Sequence, residues 1–317
     1  MFRLKNYPKH FFKMKKVAVI TSIYNGERFI SQTIKSILLN DHSLFDYYIL
    51  NNGSTDNTKN ILQRYSKITN VYLHENEKVK PRTVALNQII SKLRNQYSFF
   101  TVIDSDDLID KNWIKTAYEF MLKNPDVFAL SGQFFLINDK NIKFQKSKIP
   151  IYPKKLNEYF SFTFPVVHSG LFIRLNKIKR DEIYDDSLTF GQDWDLCIYL
   201  AKRGAIAATK EYSVSFRHHN NSLTKLSSNQ IQSRIDKLYN IKQAKALVKN
   251  PIFFLKNKNR EASEMLALGF LYFKIGEYFK SIKYILLGLL TFPFALILNN
   301  KVMTMFQKKN RIFTTKF

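Results

Sequence analysis

The chain has 317 residues, enough for one large domain or for a domain with an appendage. Its hydrophobic content of 45% supports a sizeable core and argues against disorder, and a single cysteine, Cys197, excludes an internal disulfide or a cysteine-based zinc cluster. A formal net charge of +25 favours anionic partners: nucleic acid, an anionic membrane surface or phosphorylated substrates.

Residues 1–16 carry six cations and no acid. They lack the apolar run of a secretory signal, so a basic extension and a cytoplasmic location are expected. Residues 17–22 read as a first strand, and Tyr24-Asn25-Gly26 makes a turn into a helix over about 27–39, whose apolar face holds Phe29, Ile30, Ile34 and Ile37. A second strand over 46–50 runs into Asn51-Asn52-Gly53-Ser54-Thr55-Asp56, where Gly53 permits a tight turn and Ser54 or Asp56 can cap the next helix. A short strand follows at 71–73, and Pro81 suits the first turn of a helix containing Val84, Leu86, Ile89 and Ile90.

The stretch that organises the chain comes next. Residues 99–103 are apolar or β-branched, as expected of a strand covered on both faces, and three carboxylates arrive within four residues at its carboxyl end: Asp104, Asp106 and Asp107. Ligands of open α/β sheets sit at such ends, and hard oxygen donors there suit Mg²⁺ or Mn²⁺ carrying a diphosphate. The plainer alternative is that these aspartates cap a turn and the helix starting near Asp110.

Strands alternating with helices of this length indicate an α/β fold with a central, mostly parallel sheet. Neither G-x-G-x-x-G after the first strand nor G-x-x-x-x-G-K-[ST] anywhere is present, which disfavours dinucleotide dehydrogenases and P-loop NTPases. Further along, a helix is predicted over 113–123, a strand or hairpin over 127–137, and a basic loop over the site at 138–153. His168 reads as a buried, hydrogen-bonded histidine in an apolar stretch. Asp193 and Asp195 fall in the first turn of a helix, where negative charge is favoured. Either could instead face an acceptor as a general base. Cys197 falls on that helix's inner face and reads as core. A last strand at 214–216 leads into Arg217-His218-His219-Asn220-Asn221-Ser222.

Over roughly 17–225 these motifs, in this order, resemble the family-2 inverting glycosyltransferases of GT-A fold, of the bacterial surface-polysaccharide type. Residues 17–25 look like the family's opening strand and Thr/Ser-x-Tyr-Asn turn. Asn52-Gly53-Ser54-Thr55-Asp56 looks like its Asp-Gly-Ser-Thr-Asp segment, and Asp104-Ser105-Asp106 like its Asp-x-Asp motif. Gly191-Gln192-Asp193 resembles its Glu-Asp motif, and 217–222 its Arg-x-His-x-x-Ser ending.

The resemblance implies a metal-dependent transfer from a nucleotide-diphosphate sugar, uridine-linked by family habit, to a glycan or lipid-linked hydroxyl, with anomeric inversion. It puts Thr21, Tyr24, Asn52 and Arg82 near the nucleotide. Asp104 would lie at the ribose or sugar, Asp106 and His219 at the Mg²⁺ or Mn²⁺, and Asp193 in the role of base. Two positions depart from the family pattern: Asn51-Asn52 stand where acid is usual, and Gln192 where Glu is usual.

Beyond residue 225 the alternation stops. A basic helix is expected over 231–249, and 261–292 has the spacing of one tetratricopeptide-type helix pair. The apolar run 285–298 is short for a span and is flanked by cations, which fits a peripheral contact with the anionic inner face of a membrane. Buried core with a solvated tail is the alternative. The expected division is therefore a basic extension (1–16), a catalytic domain (17–225) and a C-terminal helical region (226–317). Two other functions compete: a catalytically idle scaffold, suggested by the two motif departures, and a nucleic-acid-binding protein, suggested by charge. No basic-aromatic interleaving or recognition motif supports the second, and nucleic acid is not expected as a partner.

Overall fold

A computed structural model describes residues 15–218 and 230–293. The first strand, β1 (Lys15–Ile23), is the hub. Val17, Ala18, Val19 and Ile20 have no exposed surface, because β1 is flanked on both sides by parallel strands and covered on both faces. The elements that follow are α1 (Ile30–Leu38), β2 (Phe45–Asn52), α2 (Thr58–Gln63), β3 (Val71–Asn76), α3 (Arg82–Leu93) and β4 (Tyr97–Val102). They generate the parallel half of the sheet, in the order β3-β2-β1-β4. All eight residues of β2 are buried, the apolar residues 47–50 as core and Asp46, Asn51 and Asn52 as buried polar groups. Each fully buried Ile, Leu or Phe here contributes about 1.5–3 kcal/mol. Pro81 is the N-cap of α3 and lies just outside the helix it was expected to begin.

After β4 come β5 (Leu108–Ile109), α4 (Trp113–Lys123), β6 (Val127–Ile137), β7 (Lys143–Lys146), β8 (Phe172–Arg174), α5 (Gln192–Ala201) and β9 (Ala205–Arg217). These complete the sheet as β4-β8-β6-β9-β5, with β7 hairpinned on β6. In this half the pairing is mixed: β4–β8, β6–β8 and β5–β9 are antiparallel, while β6–β9 is parallel. The last strand is much longer than the three residues expected. Ala205, Ala207 and Ala208 are fully or almost fully buried in its pairing with β6.

The expected basic helix over 231–249 is two pieces, α6 (Gln230–Gln243) and a 3₁₀ turn over Ala244–Leu247. Ile241, Ala244 and Leu247 belong to the same apolar core as the sheet, so that core runs past residue 225. The long helix α7 (Pro251–Lys274) starts with Pro251 after Asn250, whose side chain accepts the Ile252 N–H at 2.8 Å. A turn at Gly276 (φ +80°) reverses the chain into α8 (Tyr278–Thr291). Among the described residues, no helix is long and apolar enough to cross a membrane.

Candidate active site

The carboxyl ends of β1 and β2 are tied together by side-chain-to-backbone hydrogen bonds. Ser54 Oγ accepts the Asn25 N–H at 3.0 Å, and Asn25 Oδ1 accepts the Thr55 N–H at 2.8 Å. Thr58 Oγ1 accepts the Gly26 N–H, Asp56 Oδ2 that of Glu27, and Glu27 Oε2 that of Asn57. Burial pushes the Asp56 carboxyl upward, but the hydrogen bonds from Thr58 and Glu27 outweigh it and hold it below the usual range. Gly53 has φ +78°, and a Cβ there would meet the Val79 backbone nitrogen at 2.5 Å, so only glycine fits this turn.

Two residues expected to touch the nucleotide are committed elsewhere. Thr21 is fully buried; its hydroxyl donates to the Ile103 carbonyl at 2.9 Å and accepts the Tyr47 phenol at 3.0 Å. Its side chain therefore joins β1 to β4 and has no surface for a base. Asn52 is 4% exposed, donates to the Lys80 carbonyl at 2.8 Å, and accepts from Asn76 Nδ2 and the Lys80 N–H. An aspartate could not make the first of these bonds. Asn52 thus braces the 76–80 segment, while Asn51 Oδ1 accepts the Ser54 N–H. Tyr24 is half exposed at the same end of the sheet.

The acid loop follows β4. Arg82, at the start of α3, forms an ion pair with Asp104. Burial works against both charges and the pairing outweighs it: Asp104 is held below the usual carboxylate range by Arg82 and, less strongly, by His168. His168 is 7% exposed; its Nδ1 lies 3.3 Å from Arg82 Nη2 and its Nε2 2.7 Å from the Tyr184 hydroxyl. It is the buried, hydrogen-bonded histidine that the sequence suggests. Asp193 is near enough to act electrostatically on Arg82, His168 and Tyr184. Carboxylates from the end of β4 and the start of α5 thus both act on one guanidinium, Asp104 by direct pairing and Asp193 through its charge.

At the N-terminus of α5, Gly191 is left-handed (φ 70°) and Gln192, Asp193 and Asp195 occupy the first turn. The structure separates the two aspartates. Asp195 is buried and paired with Arg180 at 2.6 Å, whereas Asp193 is partly exposed toward the Arg82 cluster. Gln192 Nε2 donates to the Leu188 and Thr189 carbonyls at 2.9 and 2.6 Å. From α6, Asp236 Oδ2 accepts the Thr189 and Phe190 N–H groups, and Asn240 Nδ2 donates to the Gly191 carbonyl at 2.9 Å.

The remaining acids form the other wall. Asp107 is fully buried: Oδ1 accepts the Arg217 N–H at 2.7 Å, and Oδ2 meets no donor in hydrogen-bonding geometry, with the Ser169 hydroxyl nearby. Burial, then the charges of Asp106 and Asp104, push the Asp107 carboxyl well above the usual range. Such an acid-rich loop, with an unsatisfied buried oxygen, fits a hard divalent cation. Among the described residues, no three His, Cys, Asp or Glu side chains converge as a ready cage. Asp106 is the residue that would hold such a cation, and the cation would supply positive charge to an anionic substrate group. His219, the other expected ligand, lies outside the described residues.

Sequence reasoning gave no role to Arg217, Tyr184, Asp236 or Asn240. Arg217 is quoted above within its motif, but its buried, many-bonded position is visible only in three dimensions.

A mixed sheet with an acid loop at the end of β4 matches the GT-A fold of glycosyltransferases. Residues 18–180 match the model of glycosyl transferase family 2, and the chain belongs to that family. It is 28% identical over 213 residues to the "putative teichuronic acid biosynthesis glycosyltransferase TuaG" of Bacillus subtilis, covering 66% of this chain and 81% of that one. The fold is similar to that of S. aureus TarS in complex with UDP-GlcNAc, with a TM-score of 0.63 at 18% identity over 85% of this chain and 79% of that one. It is also similar to that of the mannosyltransferase PcManGT from Pyrobaculum calidifontis in complex with GDP-Man and Mn²⁺. There the TM-score is 0.56 at 16% identity, over 93% of this chain and 81% of the other.

Proposed function

We propose that this glycosyltransferase moves a sugar from a uridine-diphosphate donor to a hydroxyl of a surface glycan or its lipid-linked precursor, with inversion at the anomeric carbon. The observation that carries the reading is the Arg82–Asp104 ion pair at the end of β4, with the Asp193 carboxylate of the α5 first turn close enough to act on Arg82 electrostatically. TarS in complex with UDP-GlcNAc supports the donor class, and the name of TuaG supports the acceptor class.

In this mechanism the loops of Asn25 and of 53–58 cradle the nucleotide, and Asn51 and Asn52 shape the base pocket through the backbone they brace. Asp106 would hold Mg²⁺ or Mn²⁺, whose charge offsets that of the leaving diphosphate. Arg82 adds a cation on the same side. Asp193 accepts the proton of the acceptor hydroxyl as its oxygen bonds to the anomeric carbon. The bond from that carbon to the diphosphate oxygen breaks, and its electron pair leaves with the diphosphate. Attack opposite the leaving group inverts the centre.

The test is titration calorimetry of UDP, GDP and CDP, with and without Mn²⁺, on the wild type, Asp106→Ala and Asp193→Asn. Metal-dependent UDP binding that Asp106→Ala loses and Asp193→Asn keeps is expected, together with loss of donor turnover in Asp193→Asn. Binding of GDP in place of UDP would overturn the base assignment. No nucleotide binding at all would overturn the transferase reading in favour of an idle scaffold.

A further inference from the structure

The α7–α8 hairpin is apolar on both its inner and its outer side. Its two helices pack through small residues: Ser281 and Gly288 are the buried positions of α8, and Gly269 of α7 lies under Ile285. Tyr284, Ile285 and Leu289 also pack inward against α7, yet α8 carries a second set of large apolar side chains that faces out. Phe279, Ile282, Leu286 and Leu290 follow a 3-4-4 spacing along one stripe and are 85%, 59%, 54% and 80% exposed. Around the Gly276 turn, Phe270, Phe273, Ile275 and Tyr278 are exposed as well. A helix docked on a water-soluble protein turns its apolar stripe inward, and a contiguous exposed patch marks an interaction surface.

The stripe adjoins a groove of about 370 Å³ between α6, α7 and α8. Ile235, Leu238, Met265 and Leu287 form its apolar lining, with exposed Lys242 and Lys283 beside them. Charge identifies the occupant. After Glu264 the sequence holds eight Lys or Arg and one acid, Glu277, and that acid is 3.4 Å from Lys280. Apolar side chains interleaved with lysines, on a face short of acid, complement an anionic lipid surface.

We propose that this face docks on an anionic phospholipid bilayer: the α8 stripe enters the headgroup–acyl boundary, Lys274, Lys280 and Lys283 meet lipid phosphates, and the groove receives an acyl chain. The consequence for catalysis rests on the transferase reading above. Helix α6 separates the groove from the 189–191 loop that precedes Asp193, so docking would bring that loop within about one helix diameter, roughly 10 Å, of lipid.

The docking itself is tested without substrate. Full-length protein is co-sedimented with phosphatidylcholine vesicles and with equimolar phosphatidylcholine–phosphatidylglycerol vesicles. The variants are Phe279→Ser with Leu290→Ser, and Lys280→Glu with Lys283→Glu, each checked for unchanged helicity. The wild type should prefer the anionic vesicles by about a hundredfold, the factor that three surface lysines supply. Both variants should lose most of that binding. Anionic binding that survives in the Phe279/Leu290 variant would place the contact in charge elsewhere and overturn the proposal. Absence of vesicle binding would also overturn it. So would light scattering that shows a dimer dissociated by the same two substitutions, since the face would then join two copies of the chain. Nucleotide binding, measured in parallel, reports separately on the transferase reading.

Discussion

Arg217 donates its backbone N–H to Asp107 Oδ1 at 2.7 Å, and through that bond the end of β9 holds the acid loop of β4 from 110 residues away. Its Nε also donates to the Asp106 carbonyl at 2.7 Å, its Nη1 to the Asn138 carbonyl and its Nη2 to Gln32, while the guanidinium stacks on Phe29. The side chain is buried, and burial lowers its pKa while Asp107 and Asp106 oppose that shift. Arg217→Lys keeps the charge and loses the fork. The expected result is weaker Mn²⁺-dependent nucleotide binding, by about tenfold or more, the usual cost of a missing outer-shell partner. Urea denaturation should show a stability loss of about 1.5–3 kcal/mol. Unchanged nucleotide affinity would show that the loop holds its shape without this brace.

Gln192 departs from the family's usual glutamate, and its environment explains the amide. Nε2 faces two carbonyl oxygens, of Leu188 and Thr189. A glutamate there has no proton to offer them at neutral pH. Gln192→Glu, a change toward the family pattern, should therefore destabilise the fold by about 1 kcal/mol and leave nucleotide affinity unaltered. Equal stability of the two proteins would mean that the amide's bonds contribute nothing.

The parallel half of the fold was legible because its strands are apolar blocks bounded by turn residues; the helix Trp113–Lys123 was read to the residue. The start of β9 was not, since Ala205-Ile206-Ala207-Ala208-Thr209-Lys210-Glu211 has neither the β-branched content nor the alternation of an isolated strand. Its register comes from β6, nearly eighty residues earlier in the chain, through pairs such as Val127 with Ala205. The acids at the end of β4 were legible as chemistry, but Thr21 and Asn52 were not legible as bracing. A motif does not say which way a side chain points, and both point into the protein. Asp193 and Asp195 are two residues apart, hence about 200° apart around a helix. Which one was free depended on Arg180, whose approach no local pattern shows.

His168 offers a prediction in pH. Burial, then the Arg82 cation, hold its imidazole below the ordinary value of 6.5, with Asp104 and Asp193 opposing. The folded state therefore prefers the neutral ring, which accepts from Arg82 at Nδ1 and donates to Tyr184 from Nε2. A value lowered on folding contributes stability that is fully present above the unfolded-state value and lost as pH falls through the folded-state one. The wild type should thus lose more stability than His168→Gln as pH is lowered from about 7.5 to about 5, because the glutamine keeps a donor toward Tyr184 and cannot charge. Thermal melts of both proteins across that range give the comparison. A difference that stays flat with pH would show that His168 does not change its charge there.

Asp236 and Asn240 reach Asp193, the proposed base, through the backbone before it. Asp236 is 3% exposed and takes the Thr189 and Phe190 N–H groups at 3.1 and 2.9 Å, with Gln232 on its other oxygen. Asn240 takes the Gly191 carbonyl, and a Cβ at Gly191 would meet its Nδ2 at 2.8 Å, so the loop lies tightly on α6. Helix α6 is in turn held to α7 by Arg234 and Glu264 at 2.6 Å. Asp236 and Asn240 bond the 189–191 backbone and not the Arg82–Asp104 pair, so both act by positioning. Asp236→Ala leaves two N–H groups without their acceptor and frees the approach to Asp193. Turnover of the donor should fall by about tenfold to a hundredfold, the scale set by misplacing a reacting group by about 1 Å. The KM for the donor should stay within about twofold, because the loops proposed to hold the nucleotide are built on β1 and β2. Asp236→Asn should restore much of the rate, since an amide oxygen can accept the same two bonds. If turnover and donor affinity fell together, the effect would be loss of fold. If neither changed, the α6 contact would have no part in holding the base.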